Sequence, residues 1–314
     1  MIFVTPNPTI DRTLLVPRFS AGEVHRSTKT IIMASGKGLN AARAARCLGA
    51  EPLCMGFVGG QTGQRFEDLA RSDGFHAVWT PIAGETRTCI ILVDQSNGSS
   101  SVINEPGPSI STAEWENMHQ DILSTLQAQP ARMGPVCFGG SLPPGTPLDL
   151  FGRTIRSLSD AGCPVWVDTS GSALKTAIAA APAGIKVNAD EAAQVLGQPI
   201  RSVSDALSAA RIIQRDGVRS VVLTLGKDGA VLITAAGSWH AVPPTIQTVS
   251  SVGSGDAFFG ALIVALERGM SQAIALSWGV AAGAAKAMSA GGASFALETF
   301  RELLAAVATS QITQ

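Results

Sequence analysis

A three-layer α/β fold built on a mostly parallel sheet follows from three features of the chain. Apolar strand-like runs alternate with helix-like runs over most of the 314 residues. The composition is 46% hydrophobic and 15% charged, enough apolar material for a sizeable core. Two segments interrupt the alternation with period-two patterning around turn residues. Strand, helix, strand in series implies right-handed crossovers, with helices on both faces of the sheet.

The elements follow in order. Met1–Thr5 is an apolar strand. Asp11 to Met33 carries two polar-alternating strands around the turn SAGE. Gly38–Leu48 reads as a helix, Pro52–Val58 as a strand and Gln64–Asp73 as a helix. Thr86 to Glu105 is the second interruption, where TCIILVD and SSSVINE flank QSNG, a turn-forming stretch containing Asn97-Gly98. Helices are then expected at Glu114–Leu126, Pro147–Ala161, Ala189–Leu196 and Val203–Arg215. Between and after them, strands are expected at Val136–Phe138, Val165–Asp168, Ile185–Val187, Val221–Thr224 and Ala230–Thr234. Ala257–Leu266 and Ala273–Ala285 are uncharged helical stretches, each short of the ~20 residues a membrane span requires. The tail, Ala308–Gln314, is expected to fray. The two interruptions read as antiparallel hairpins with one apolar face, suited to a small discontinuous lid. The expected division is a core of residues 1–10, 34–85 and 106–314, and a lid of residues 11–33 and 86–105.

Bulk properties remove several classes of function. The net charge is −1 and the Lys and Arg are scattered, so no basic stripe marks a nucleic-acid surface. The opening MIFVTPNPTIDR has no basic region before its apolar residues, which argues against a signal peptide and for a cytoplasmic protein. Five cysteines form no CxxC pair and read as reduced thiols. The histidines are too dispersed for a zinc motif.

The strongest chemical signal is SVGSGDAFFG, Ser251 to Gly260. Gly253 and Gly255 permit a tight turn, and the amides of Gly253, Ser254 and Gly255 can converge at the start of a buried helix, where orphan N–H groups favour an anion. Asp256 places a carboxylate beside that anion site. An anion hole next to a base is what phosphoryl transfer to a hydroxyl needs. The plain alternative is an aspartate that merely caps a helix. In KVNADE, Asn188 and Glu191 lie one turn apart and suit a water-rich Mg²⁺ site, with Lys186 near a phosphate. An ordinary capping box explains the same spacing, and on spacing alone it is the better reading. Asp11 follows the first strand. Gly36, Lys37, Gly38 and Asn40 open a helix in SGKGLNAARAA, where Asp11 and Asn40 can grip hydroxyls. Gly36-x-Gly38-x-x-Ala41 imitates a dinucleotide fingerprint but lacks its acidic partner, and no P-loop GxxxxGK[ST] is present. Arg87 can pair with an anionic substrate group, or be an ordinary surface arginine. Thr224, Gly226 and Gly229 form a strand–turn–strand that either is a plain hairpin or lies against a nucleotide.

Taken together, these segments resemble the PfkB, ribokinase-like carbohydrate kinases from end to end. SVGSGD resembles the family's GAGD signature, KVNADE its NxxE motif and SGKGLNAARAARCLGA its N-terminal glycine-rich signature. TPNPTIDRTLLV, GETRTCI, VINEPGPSIS, GGSLPPGTP and VDTSGSAL narrow the resemblance to the fructose-1-phosphate, tagatose-6-phosphate and fructose-6-phosphate kinase group. The resemblance implies a ribokinase-like fold, ATP and Mg²⁺ as cofactors and a sugar phosphate as acceptor, with fructose 1-phosphate favoured. It makes Asp256 the base and Gly253–Gly255 the anion hole, and gives metal and waters to Asn188 and Glu191. It brings Thr224, Gly226 and Gly229 to ATP, brings Asp11, Gly36, Asn40 and Arg87 to the sugar, and suggests a homodimer through the lid. Three positions depart from the branch: Ser35 for glycine, His25 in VHR for asparagine, and Cys89 for asparagine. A kinase for an unphosphorylated sugar or nucleoside and a catalytically silent sugar-phosphate sensor are the competing expectations.

Overall fold

The structure is a computed structural model that describes residues 1–128, 134–289 and 292–312. The elements run β1 (Ile2–Thr5), β2 (Thr9–Val16), β3 (Lys29–Ser35), α1 (Lys37–Cys47), β4 (Leu53–Val58), α2 (Gly60–Ser72) and β5 (His76–Pro81). Next come β6 (Arg87–Asp94), β7 (Ser100–Asn104), α3 (Thr112–Ala128), β8 (Val136–Gly139), α4 (Leu148–Asp160), β9 (Val165–Asp168), α5 (Gly171–Ala179) and β10 (Gly184–Asn188). The chain ends with α6 (Ala189–Leu196), α7 (Val203–Arg215), β11 (Ser220–Thr224), β12 (Ala230–Thr234), β13 (Gly237–Val242), α8 (Ser254–Glu267), α9 (Gln272–Ala287), α10 (Leu297–Ala306) and β14 (Ala308–Ile312).

Ten strands form the main sheet in the order β14-β13-β12-β11-β10-β9-β8-β1-β4-β5. From β11 to β5 every pairing is parallel, and β12, β13 and β14 add an antiparallel margin. Alternate strand residues feed two separate cores. Phe3, Cys54, Cys137 and Val222 pack with α1, α8 and α9 on one face. Val4, Met55, Phe138 and Val167 pack with α3, α4, α5 and α7 on the other. Strands buried on both faces are what a doubly covered parallel sheet requires. Of the tail expected to fray, Ala308–Ile312 is instead β14, which pairs with β13 from Val242↔Ala308 to Ser238↔Ile312, while residues 313 and 314 lie outside the described residues. Ladder bonds to an existing edge outweigh the polar composition of ATSQI.

The order reverses at β1. It pairs with β4, from which the chain winds one way, and with β8, from which it winds the other. Ligands of open α/β sheets bind at the carboxyl ends of strands beside such a switch point. Helix α1 approaches the sheet closely there. A Cβ on Gly38 would stand 2.6 Å from the Val4 carbonyl oxygen, and one on Gly139 would stand 2.6 Å from the Gly38 nitrogen. Glycine at these positions serves helix-to-strand contact.

The second sheet has the order β3-β2-β6-β7. Both hairpins, β2–β3 and β6–β7, are antiparallel as expected. They join through one parallel ladder, β2 to β6, running from Thr9↔Arg87 to Val16↔Asp94, so the sheet as a whole is mixed. Two hairpins far apart in sequence thus share one surface, rooted where β1 hands over to β2.

No helix among the described residues is long and apolar enough to cross a membrane. All five cysteines are free.

Candidate active site

Helix α8 begins at a turn that only glycine forms without strain. Gly253 is its N-cap at φ 82°, in the left-handed region. The Ser254 amide donates to the Ser251 carbonyl at 3.1 Å, so it turns inward rather than toward a ligand. The amides of Gly255 and Asp256 lie in the first turn, where no intrahelical acceptor exists. The Ser254 hydroxyl is buried and unpartnered, a polar atom that a bound anion would satisfy. A cleft of about 630 Å³ ends at Ser254 and Gly255. Its walls include Thr224, Gly226, Gly229, Pro243, Phe258 and Gly283, which bring the β11–β12 turn, α8 and α9 around one space.

Asp256 stands just beyond the end of that cleft. It is 8% exposed, and its Oδ2 accepts from Asn40 Nδ2 at 2.9 Å. Burial pushes its carboxyl above the usual range, against the opposing pull of Lys37, the Asn40 amide and Lys186. The positive end of α8 does not cancel that burial. A raised proton affinity suits a group that collects a proton from a hydroxyl. The orientation of Asn40 is set from behind. Its Oδ1 accepts from Arg43 Nη1 at 3.1 Å and lies 3.3 Å from Ser35 Oγ, while Arg43 Nη2 is held by the Ala34 carbonyl at 2.9 Å and Asp73 at 2.7 Å. With the oxygen engaged, the NH₂ group faces Asp256.

On the other side of the cradle, two parallel strands and two helices deliver charge. Lys186, on β10, is buried, with Nζ 2.8 Å from Asp168 Oδ2 and 3.0 Å from where a Cβ on Gly255 would sit. Lys37, at the start of α1, bridges Asp168 Oδ1 and Glu191 Oε1 at 3.1 Å each. The Asp168 charge, ahead of Glu191 and despite burial, holds the Lys37 ammonium above the ordinary lysine value. Asp168 is fully buried at the end of β9. Burial alone would raise its carboxyl, but Lys186 and Lys37 outweigh it and hold the group below the usual range.

Asn188 and Glu191 form the capping box of α6. Asn188 Oδ1 accepts from the Glu191 amide at 2.8 Å, and Glu191 Oε2 accepts from the Asn188 amide at 2.9 Å. Thr224 closes β11 with its hydroxyl 3.4 Å from the Val187 carbonyl, beside that box. No three His, Cys, Asp or Glu among the described residues are grouped to hold a metal ion. The oxygens of Asn188 and Glu191 are already engaged, and Asp168 is shared by two lysines. Such a donor set fits a hydrated Mg²⁺ carried mainly by phosphates and reached through water, not a protein cage.

The remaining expected residues lie where the second sheet meets the main one. Asp11, on β2, is raised by burial against the Ser35 hydroxyl and the charges of Arg87 and Arg43. Arg87 donates from Nη2 to the Asn7 carbonyl at 2.9 Å and from Nη1 to the Glu105 carbonyl at 2.8 Å, leaving Nε buried and unpartnered. Asn7 Oδ1 is likewise buried without a partner. Gly36 caps α1 at φ 124°, and a Cβ there would strike Thr5 Cγ2, so its place is explained by packing. Of the three departures, Cys89 is buried directly across the ladder from Asp11, and Ser35 sits between Asp11 and Asn40. His25 lies apart in the β2–β3 loop, bound through Nε2 to the Ser20 backbone and packed on Phe19.

Sequence reasoning did not single out Asp168, Arg43 or Lys286. Asp168 had one signal, a carboxylate at the end of an apolar strand, the edge where α/β sheets bind ligands. Arg43 lies within SGKGLNAARAA, whose glycines and Asn40 drew the reading instead, and Lys286 falls just past the helical run Ala273–Ala285 with no motif around it.

The comparisons with known proteins agree with this geometry. The profile of the pfkB family carbohydrate kinases matches residues 5–299. The chain is 32% identical to 1-phosphofructokinase of Escherichia coli (strain K12) over 84% of this chain and 83% of that protein. It is 34% identical to 1-phosphofructokinase of Xanthomonas campestris pv. campestris, over 84% of this chain and 83% of that protein. Among solved structures, phosphofructokinase-2 from Escherichia coli in complex with substrates and products superposes with a TM-score of 0.88 at 25% identity, covering 98% of each chain. The chain belongs to the pfkB family of carbohydrate kinases, phosphotransferases that act on a sugar hydroxyl.

Proposed function

We propose that this kinase transfers the γ-phosphoryl group of ATP to a hydroxyl of fructose 1-phosphate, with Asp256 as the base. One observation carries the assignment of roles. A buried carboxylate, aimed by Asn40, stands next to free first-turn amides at the closed end of a cleft. The nucleotide occupies the cleft between the β11–β12 turn and α9, with Thr224, Gly226 and Gly229 against it. Its phosphates reach the Gly255 and Asp256 amides and Lys186. Mg²⁺, where bound, supplies charge neutralisation of the phosphates, held through water by Asn188 and Glu191. The acceptor lies under the second sheet, whose segments 11–33 and 86–105 act as a lid, with Asp11 and Asn40 on its hydroxyls and Arg87 on its phosphate.

The protein's own work is positioning and charge stabilisation, since phosphoryl transfer has a loose transition state. Asp256 takes the proton of the attacking hydroxyl, and the amides hold the moving charge. The sugar follows from the named relatives, both 1-phosphofructokinases at above 30% identity. Ser35 and Cys89 flank Asp11 and are the positions to examine if tagatose 6-phosphate or fructose 6-phosphate is preferred. The exposed edge strand β7, with Val102 and Ile103 among its solvent-facing residues, is the surface for a homodimer in the cytoplasm. The test is ADP release over a panel of fructose 1-phosphate, fructose 6-phosphate, tagatose 6-phosphate and free fructose. The highest kcat/KM is expected for fructose 1-phosphate. Equal turnover of free fructose would remove the acceptor phosphate from the assignment.

A further inference from the structure

Lys286 lies in the last turn of α9 and is 0% exposed, the only charged residue among the largest fully buried side chains. A lysine that merely capped the carbonyl end of a helix would run its amine out to water. This one is enclosed, and an enclosed ammonium is costly unless its three donors and its charge are answered. Its Nζ donates to the Ser289 carbonyl at 3.1 Å. Its Cε lies 3.6 Å from where a Cβ on Gly253 would be, and the Ala293 backbone lies at the same distance from that point. The helix carrying it also backs the cradle. Gly283, one turn earlier, faces the Ser254 carbonyl, and the Ala287 carbonyl accepts from the amides of Val249 and Ser250 at 2.8 and 3.1 Å.

Charge accounting points the same way. Around the cradle stand three carboxylates, Asp168, Glu191 and Asp256, and two ammoniums, Lys37 and Lys186. With those five alone the chamber is net negative and repels a phosphate chain. Lys286 brings it to neutrality from behind the turn. Burial lowers its proton affinity, and Asp256 pulls it back up, so the two groups feel one another.

We propose that Lys286 is a positioning residue of the phosphoryl-transfer site, whose enclosed ammonium fixes the Gly253 turn and adds a positive charge behind the amides that receive the phosphates. It touches no reactant and acts through the turn. The inference rests on the kinase reading above, so the wild-type arm of the experiment tests that reading and the variant arms test Lys286.

The experiment compares wild type with Lys286→Met and Lys286→Ala, using turnover and calorimetric binding of ATP and of adenosine. Lys286→Met is expected to lower kcat by ~100-fold with KM for the sugar phosphate within about threefold of wild type. It is expected to weaken ATP by ~10-fold and adenosine not at all, a split that a merely structural lysine would not produce. In Lys286→Ala, n-propylammonium is expected to restore part of kcat while an uncharged alcohol of the same size restores none. Three results would overturn the proposal: a Met variant with kcat within about threefold of wild type, equal losses of ATP and adenosine binding, or equal rescue by alcohol and amine. Should the Met variant fail to fold, Lys286→Arg carries the test. A folded Arg variant is expected to keep the wild-type ratio of ATP to adenosine affinity, and its loss would refute the role of charge. A wild-type chain without turnover on any acceptor would sink the kinase reading, and the ATP-to-adenosine ratio would still judge Lys286.

Discussion

The two sides of the site, proposed above as donor and acceptor, are built differently. The donor cleft is made of backbone: glycine turns at 226–229 and 253–255, the end of β11 and the start of α8, all from the last third of the chain. The proposed acceptor side is made of side chains from residues 11, 35–43 and 87, with the carbonyls of residues 7 and 105 holding Arg87 in place. Main-chain amides bind phosphate in whatever molecule bears it. Side chains can be exchanged one at a time, so in the proposed reading the identity of the sugar would reside there. Asp256 sits on the boundary and belongs to both.

Experiments can break this comparison at several points. The largest effect is expected at the boundary. Asp256→Asn should lower kcat by ~10³-fold or more while ATP affinity stays near wild type, read by turnover and calorimetry. An active Asn variant would remove the base from the mechanism. Next, on the donor side, Gly229→Ala forces an L-residue into φ 82° against the Ala241 carbonyl. It should raise KM for ATP by ~10-fold or more and leave KM for the sugar phosphate unchanged, which steady-state kinetics will show. The mirror experiment is Arg87→Ala, expected to raise KM for the sugar phosphate by ~10-fold or more with little change in KM for ATP. If both KM values move together in either variant, the two sides are not separable.

A smaller effect is thermodynamic. Burial raises the Asp256 pKa in the folded state above its unfolded value. The stability this carboxyl contributes is therefore present in full below the unfolded value and is lost as pH rises through the folded one. Asp256→Asn should thus melt higher than wild type at neutral pH, with the gap closing as pH falls through the titration of the carboxyl. A gap independent of pH would mean that the carboxyl is not ionised at the cost of the fold. The smallest effect is expected at His25. It is tied to its own loop at Ser20, so His25→Asn should change KM for the sugar phosphate by no more than about threefold.

How far the sequence could be read follows the same division. The cradle was legible because Gly253, Ser254, Gly255 and Asp256 are consecutive, and a turn into an apolar helix has one local meaning. Six of the seven parallel strands were legible because they read as unbroken apolar runs; β5, the edge strand HAVWTP with mostly exposed or half-buried residues, was not. Of the antiparallel margin, β12 was legible as an apolar run, but β13 and β14 were not. GSWHAV and ATSQI are polar enough to pass for loop, and only their pairing makes them strands. On the proposed acceptor side, Asn40 was visible, but its orientation was not: Arg43 reaches it from the next turn of α1 only because Asp73, at the end of α2, and the Ala34 carbonyl hold the guanidinium, and such long-range anchors have no spacing signature. Asp168 was overlooked for the opposite reason. A lone aspartate ending a strand is common, and its meaning comes from two lysines, 131 residues before it and 18 after. The capping box of α6 was the plain reading of NADE and is present in the structure. A cap and a water-mediated metal site use the same two side chains, so the cap leaves the second role open to experiment.

Arg87 joins these threads. Its guanidinium donates from its two terminal nitrogens to the carbonyls of residues 7 and 105, one in the bend that leads from β1 into the second sheet and one in the loop that leaves it. The same group thereby ties the entry of the second sheet to its exit. In the reading proposed above, its unpartnered Nε would be the donor left for the acceptor's phosphate, so capture of the sugar would be felt at the clasp that joins the two sheets.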